Sequence, residues 1–67
     1  MSYRFRLRGT GFWHSWEKEC KSEIAMAHAT QVAREYARDR VYQDATIRVF
    51  DDLGNEVAIV PVKNTRT

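Results

Sequence analysis

Three side chains in this 67-residue chain have the chemistry to hold a soft metal or form a nucleophile–base couple: Cys20, His14 and His28. A zinc site needs about four ligands, usually delivered as closely spaced pairs, and no such pair occurs. A Cys20–His14 couple has no third group that the sequence identifies as orienting the base. The glycines at 9, 11 and 54 match no phosphate-binding spacing and read as turn residues. A chain this short also leaves little room for an enclosed substrate pocket. The expectation is a non-catalytic protein with no metal and no cofactor.

A different chemistry stands at the start of the chain. "SYRFRLRG", residues 2 to 9, alternates Arg4, Arg6 and Arg8 with Tyr3, Phe5 and Leu7. In a β-strand this spacing sends the three cations to one face and the three apolar side chains to the other. Net charge is only +2, but residues 1–21 carry five basic side chains against two acidic ones. Cationic character is thus concentrated in the first third, at a level below that of a purely electrostatic nucleic-acid binder. Arg34 and Arg38, one helical turn apart, have Glu35 and Asp39 beside them and read as a solvated face.

The elements that position these residues follow from periodicity and turn signals. A first strand spans about Tyr3 to Arg8, "RGTG" supplies a tight turn, and the aromatic stretch "FWHSWEKEC" returns as a second strand. Ser22 is the expected N-cap of an amphipathic helix. Its inner arc carries Ala25, Met26, Ala29, Val32, Ala33, Tyr36 and Ala37. His28 and Ile24 lie off that arc. "ATIRVFDDLGNEVAIVPV", 45 to 62, is a strand, a turn on Asp52 to Asn55, and a second strand whose Pro61 indicates an edge. Residues 62–67 form a polar tail expected to fray. The sum is one α+β domain over residues 1–67: ββαββ, a single helix packed on one face of a four-stranded, mostly antiparallel sheet.

One helix leaves the other sheet face without cover from this chain. A turn pairing Asp51 with Glu56 sets Val49 opposite Ala58 and Ile47 opposite Val60 on the helix side, and leaves Arg48, Phe50, Val57 and Ile59 outside. In the first hairpin, a three-residue turn puts Trp16 outside with the arginines, whereas a two-residue turn puts Trp13 there. Arg4, Arg6, Arg8, Trp13, Trp16, Arg48 and Phe50 are therefore the candidate binding residues. Arginine with tryptophan and phenylalanine is a usual interface composition. Arginines on a strand also protect an edge from aggregation and cover apolar surface with their stems.

Two resemblances accompany this reading. "YRFRLR", "AREYARD" and "IRVFDDLGNEVAIVPV" resemble a family of short uncharacterised bacterial proteins with an aromatic first strand and a closing "V-x-D-x-x-G-x-x-V…VP" hairpin. Residues 10–21 depart from that family's acidic, glycine-containing segment, and the family implies no function. The strand–strand–helix order and alanine-rich helix are also similar in plan to certain phage-encoded anti-CRISPR proteins. That likeness implies a small inhibitor that occupies charged nucleic-acid-binding surfaces of a defence complex.

The functional expectation is a small protein-binding module that docks onto or blocks a larger protein or nucleoprotein assembly. Nucleic acid gripped by an arginine–aromatic sheet face is the alternative, and a small enzyme is a remote one. Small size favours oligomerisation, so a homodimer through the uncovered sheet face is also expected. The single cysteine excludes an internal disulfide and suits a reducing compartment. No apolar run approaches the roughly 18 residues of a membrane span, and the charged N-terminus lacks a signal-peptide core, so a cytoplasmic location is expected.

Overall fold

The computed structural model describes residues 1–62. Its elements are β1 (Ser2–Gly9), β2 (Phe12–Glu19), α1 (Ser22–Tyr36), β3 (Thr46–Phe50) and β4 (Glu56–Pro61), with a 3-10 turn at Arg40–Tyr42 before β3. The four strands form one sheet in the order β2-β1-β3-β4, every neighbouring pair antiparallel. The expected ββαββ architecture is the observed one.

β1 is central because its alternation serves two layers at once. Tyr3, Phe5 and Leu7 are buried beneath α1, while Arg4, Arg6 and Arg8 are exposed on the other side. Ile47 and Val49 of β3 lie in register with Leu7 and Phe5 and complete the floor of the core. The helix presents Ala25, Ala29 and Ala33, all buried, at four-residue spacing. Methyl side chains on this stripe let the helix backbone approach the sheet closely, and Val32 and Tyr36 fill its flanks half-buried. α1 lies nearest β3 and β4.

Several local expectations are corrected. Met26 is 39% exposed and stays outside the packed core, since it sits about 100° around the helix from Ala25 and the sheet meets the opposite flank at His28. Ser22 is the first helical residue. Lys21 takes the cap position with extended backbone and no side-chain hydrogen bond, and the Ser22 hydroxyl donates to Glu23 instead. The helix ends at Tyr36, so Ala37, expected on its inner arc, is the C-cap, and the Asp39 carboxylate accepts from the Val41 N–H to start the 3-10 turn.

The turns explain the registers. Gly9 pairs with Phe12, so the first hairpin has a two-residue turn, Thr10–Gly11, and only Gly11 takes a positive φ, of 81°. That is the type II pattern, which favours glycine at its second central position. Gly9, expected in the turn, is instead the last residue of β1 and lies under the Phe12 ring: a Cβ there would fall 2.6 Å from two ring carbons. Phe12 in turn packs edge-on against Tyr42, and Tyr42 against Tyr36. In the second hairpin the Asp51 carboxylate accepts from the N–H groups of Leu53 and Asn55, and Gly54 adopts a φ of 85°. Ile47 opposite Val60 and Val49 opposite Ala58 occur as expected, but Glu56 pairs with Phe50 rather than Asp51. A bulge at Val57 absorbs the one-residue difference.

Val62, placed by sequence in the fraying tail, is 1% exposed and donates its N–H to the Ala45 carbonyl. An apolar side chain continuing the inward rhythm of Ala58 and Val60 accounts for this. The rest of that expected tail, 63–67, lies outside the described residues.

Two substitutions test this packing. Phe5, fully buried between Trp16 and His28, should cost about 3–5 kcal/mol when replaced by Ala. Gly9→Ala should cost about 1–3 kcal/mol by displacing the Phe12 ring. Urea unfolding monitored by circular dichroism measures both. A loss below 1 kcal/mol for Phe5→Ala, roughly the effect of an ordinary surface change, would contradict the described core.

Candidate functional site

Three rows of side chains cross the uncovered face of the sheet. In strand order they are Trp13, Arg8, Thr46 and Pro61; Ser15, Arg6, Arg48 and Ile59; and Glu17, Arg4, Phe50 and Glu56. The structure thus brings Arg4, Arg6, Arg8, Trp13, Arg48 and Phe50 together on one surface. It does not bring Trp16 there. The two-residue turn fixes Trp13 outside and turns Trp16 toward the helix side, where it stacks on Phe5 with ring centroids 5.5 Å apart.

The four arginines differ in their partners. The Arg4 guanidinium donates to Glu17 at 2.8 Å and that of Arg48 to Glu56 at 2.7 Å. These exposed cross-strand pairs contribute about 0–1 kcal/mol each, so they define charge placement more than stability. Arg6 stands directly opposite Arg48, a like-charge pairing. Its guanidinium lies 5.5 Å from the centroid of the Phe50 ring, which offers a cation–π contact. Neither Arg6 nor Arg8 has a carboxylate partner among the described residues.

Apolar side chains surround these cations. Trp13 is 68% exposed, Ile59 52% and Val57 48%, far from the half-solvated alternation expected of a strand whose outer side meets only water. At one end of the face an open cleft of about 440 Å³ runs between Arg4, Arg6, Glu17 and Phe50 and the turn at Asp51–Gly54. Beside it the Met1 ammonium pairs with Glu19 at 3.0 Å, and this hydrogen bond holds the ammonium pKa above its ordinary value. The stabilisation from that pair is present at neutral pH and is lost in alkaline solution as the ammonium titrates.

The imidazole and thiol groups are placed differently. The Trp16 Nε1–H donates to His28 Nε2 at 3.0 Å, and His14 stacks on Trp16 on the helix side. Cys20 is half-buried, with its thiol 3.9 Å from the Lys18 carbonyl. No group of three or more metal-ligating side chains converges among the described residues. Sequence reading missed the Trp16–His28 hydrogen bond. The available signal was His28 on the helix flank facing whichever tryptophan turned inward.

No family model matches the chain, and searches of curated proteins and of solved structures likewise found no match. No helix among the described residues is long and apolar enough to cross a membrane.

Fluorescence separates the two tryptophans. A Trp16→Phe variant, retaining Trp13, should be strongly quenched by iodide. A Trp13→Phe variant, retaining Trp16, should be markedly protected. Equal quenching of the two variants would contradict the two-residue turn.

Proposed function

We propose that this protein is a non-catalytic protein-binding module whose uncovered sheet face docks onto an acidic, partly apolar patch of a larger assembly. The observation that carries this reading is the pair Arg6 and Arg8, cations with no carboxylate partner among the described residues, set beside the exposed Trp13. Fully desolvated arginine and tryptophan side chains are the residues that most often dominate interface energy. Arg4, Arg48 and Phe50 extend the contact surface, with Ile59 and Val57 as its apolar margin.

Charge distribution favours a protein over a nucleic acid. The face carries four arginines but also Glu17, Glu19 and Glu56, two of them already paired to arginine. A phosphate-tracking groove gains its affinity by neutralising many phosphates and is depleted of carboxylates. Free cations also complement an acidic partner better than a basic nucleic-acid-binding surface, which weighs against the narrower reading as an anti-CRISPR-type inhibitor of such a surface.

Face-to-face pairing of two copies is disfavoured by the same pattern. A two-fold axis along the strands between β1 and β3 sets Arg6 against Arg48 of the other copy and Glu17 against its Glu56. An axis across the strands sets Arg6 on Arg6. Like charges brought together at an interface cost several kcal/mol.

The test combines oligonucleotide titration with capture from the native host. Purified protein should show no binding to single- or double-stranded oligonucleotides at about 50 mM salt. From nuclease-treated lysate it should retain a partner that is lost with Arg6→Glu and with Trp13→Ala. Micromolar oligonucleotide binding that falls steeply with salt and disappears in the Arg4→Ala, Arg6→Ala double variant would replace this reading with the nucleic-acid one.

A further inference from the structure

The two edges of the sheet are built unequally. β4 is blunted. The Val62 N–H goes to Ala45, so by alternation the N–H positions of Val57, Ile59 and Pro61 face away from β3. Proline has no donor to offer there, and Val57 lies in the bulge, both of which interrupt the pairing of another strand. β2 has no such device. Its eight residues, Phe12–Glu19, run without proline, glycine or bulge.

The direction of the free groups on β2 follows from its ladder. The Cys20 N–H donates to the Met1 carbonyl, and Phe12 closes the two-residue turn with Gly9. Even-numbered residues therefore bond to β1, and the backbone groups of Trp13, Ser15 and Glu17 point out of the sheet edge. The helix-side row of β2 is also under-covered: Phe12 and Trp16 are half-buried and His14 is exposed, because α1 lies toward the other side of the sheet.

We propose that β2 pairs antiparallel with β2 of a second copy of this chain, centred on Ser15, to form a continuous eight-stranded sheet. Pairing the outward backbone groups requires odd residues opposite odd residues, which also keeps helix-side side chains on one face. The Ser15-centred register meets this condition and sets the aromatic half of each strand against the charged half of the other. Lys18 falls opposite Phe12, Glu17 opposite Trp13, and His14 opposite Trp16, with no like charges in direct opposition. Centring one residue later places Lys18 against His14, and centring on Glu17 opposes two carboxylates. With β4 blunted, β2 is the one open edge among the described residues, so the assembly closes as a two-fold dimer and does not extend into a fibre. Both helices then lie on one side, flanking a groove floored by His14 and Trp16 of each copy, and the two arginine faces become one surface. The inference is independent of the partner class proposed above.

Sedimentation of the full chain and disulfide trapping provide the test. At about 100 µM the unmodified protein should sediment at twice the mass of one chain. Ser15→Pro removes an N–H that β1 does not use, and should yield a monomer with unchanged circular dichroism. Ser15→Cys, made with Cys20→Ser, should cross-link two chains under oxidised glutathione, since Cα atoms about 5.5 Å apart in such a pair fall within disulfide range. This milder variant keeps the test decisive if the proline variant fails to fold. A monomeric unmodified protein, or absence of cross-linking at position 15, would overturn the proposal.

Discussion

A single fifteen-residue helix has four strands to cover. Its alanine stripe settles how it does so: small side chains bring α1 down onto the sheet, so that Phe5, Leu7, Ile47 and Val49 are fully or almost fully buried. Close approach on one side means no cover on the other. The exposure of Trp13, Val57 and Ile59 on the sheet's other face traces back to that geometry. A small domain buries a modest fraction of its surface in any case, and here the sheet's second face and its β2 edge are the parts left over.

β1 translates this constraint into chemistry. Its inward residues hold the core and its outward residues are three arginines, so the same strand that anchors the fold also presents the charge. Arg4 and Arg48 are neutralised across strands by Glu17 and Glu56. Arg6 and Arg8 have no carboxylate partner among the described residues, and Arg6 is held beside Phe50 and opposite Arg48. A like-charge pairing in the middle of a sheet face serves the fold poorly, and surfaces of this kind trade stability for interaction.

The architecture was legible in the sequence because its strongest signals are periodic. The alternation of residues 3–8, the four-residue alanine spacing of the helix and the turn before β4, with Asp51, Asp52, Gly54 and Asn55, all carry their meaning locally. The placement of the tryptophans was not legible, because one residue of turn length reverses every side chain of β2. Nothing within "RGTG" distinguishes a two-residue from a three-residue turn until Gly9 is seen to lie under Phe12. The bulge at Val57 and the burial of Val62 were hidden for a related reason: both depend on how β4 settles against β3. The helix start misled because Ser22 has a good capping side chain, yet the extended backbone falls at Lys21. The arginine face itself was readable, apart from Trp16.

The central claim is that Arg6, Arg8 and Trp13 are on this surface for something other than the fold. Equilibrium urea unfolding of a variant carrying Arg6→Ala, Arg8→Ala and Trp13→Ala tests it most directly. If the face is a surface kept for a partner, the variant should unfold within about 0.5 kcal/mol of the unmodified protein, or above it through relief of the Arg6–Arg48 opposition. A loss of more than about 2 kcal/mol, of the size produced by damage to a packed or hydrogen-bonded network, would show that these side chains hold the sheet together and would contradict the account.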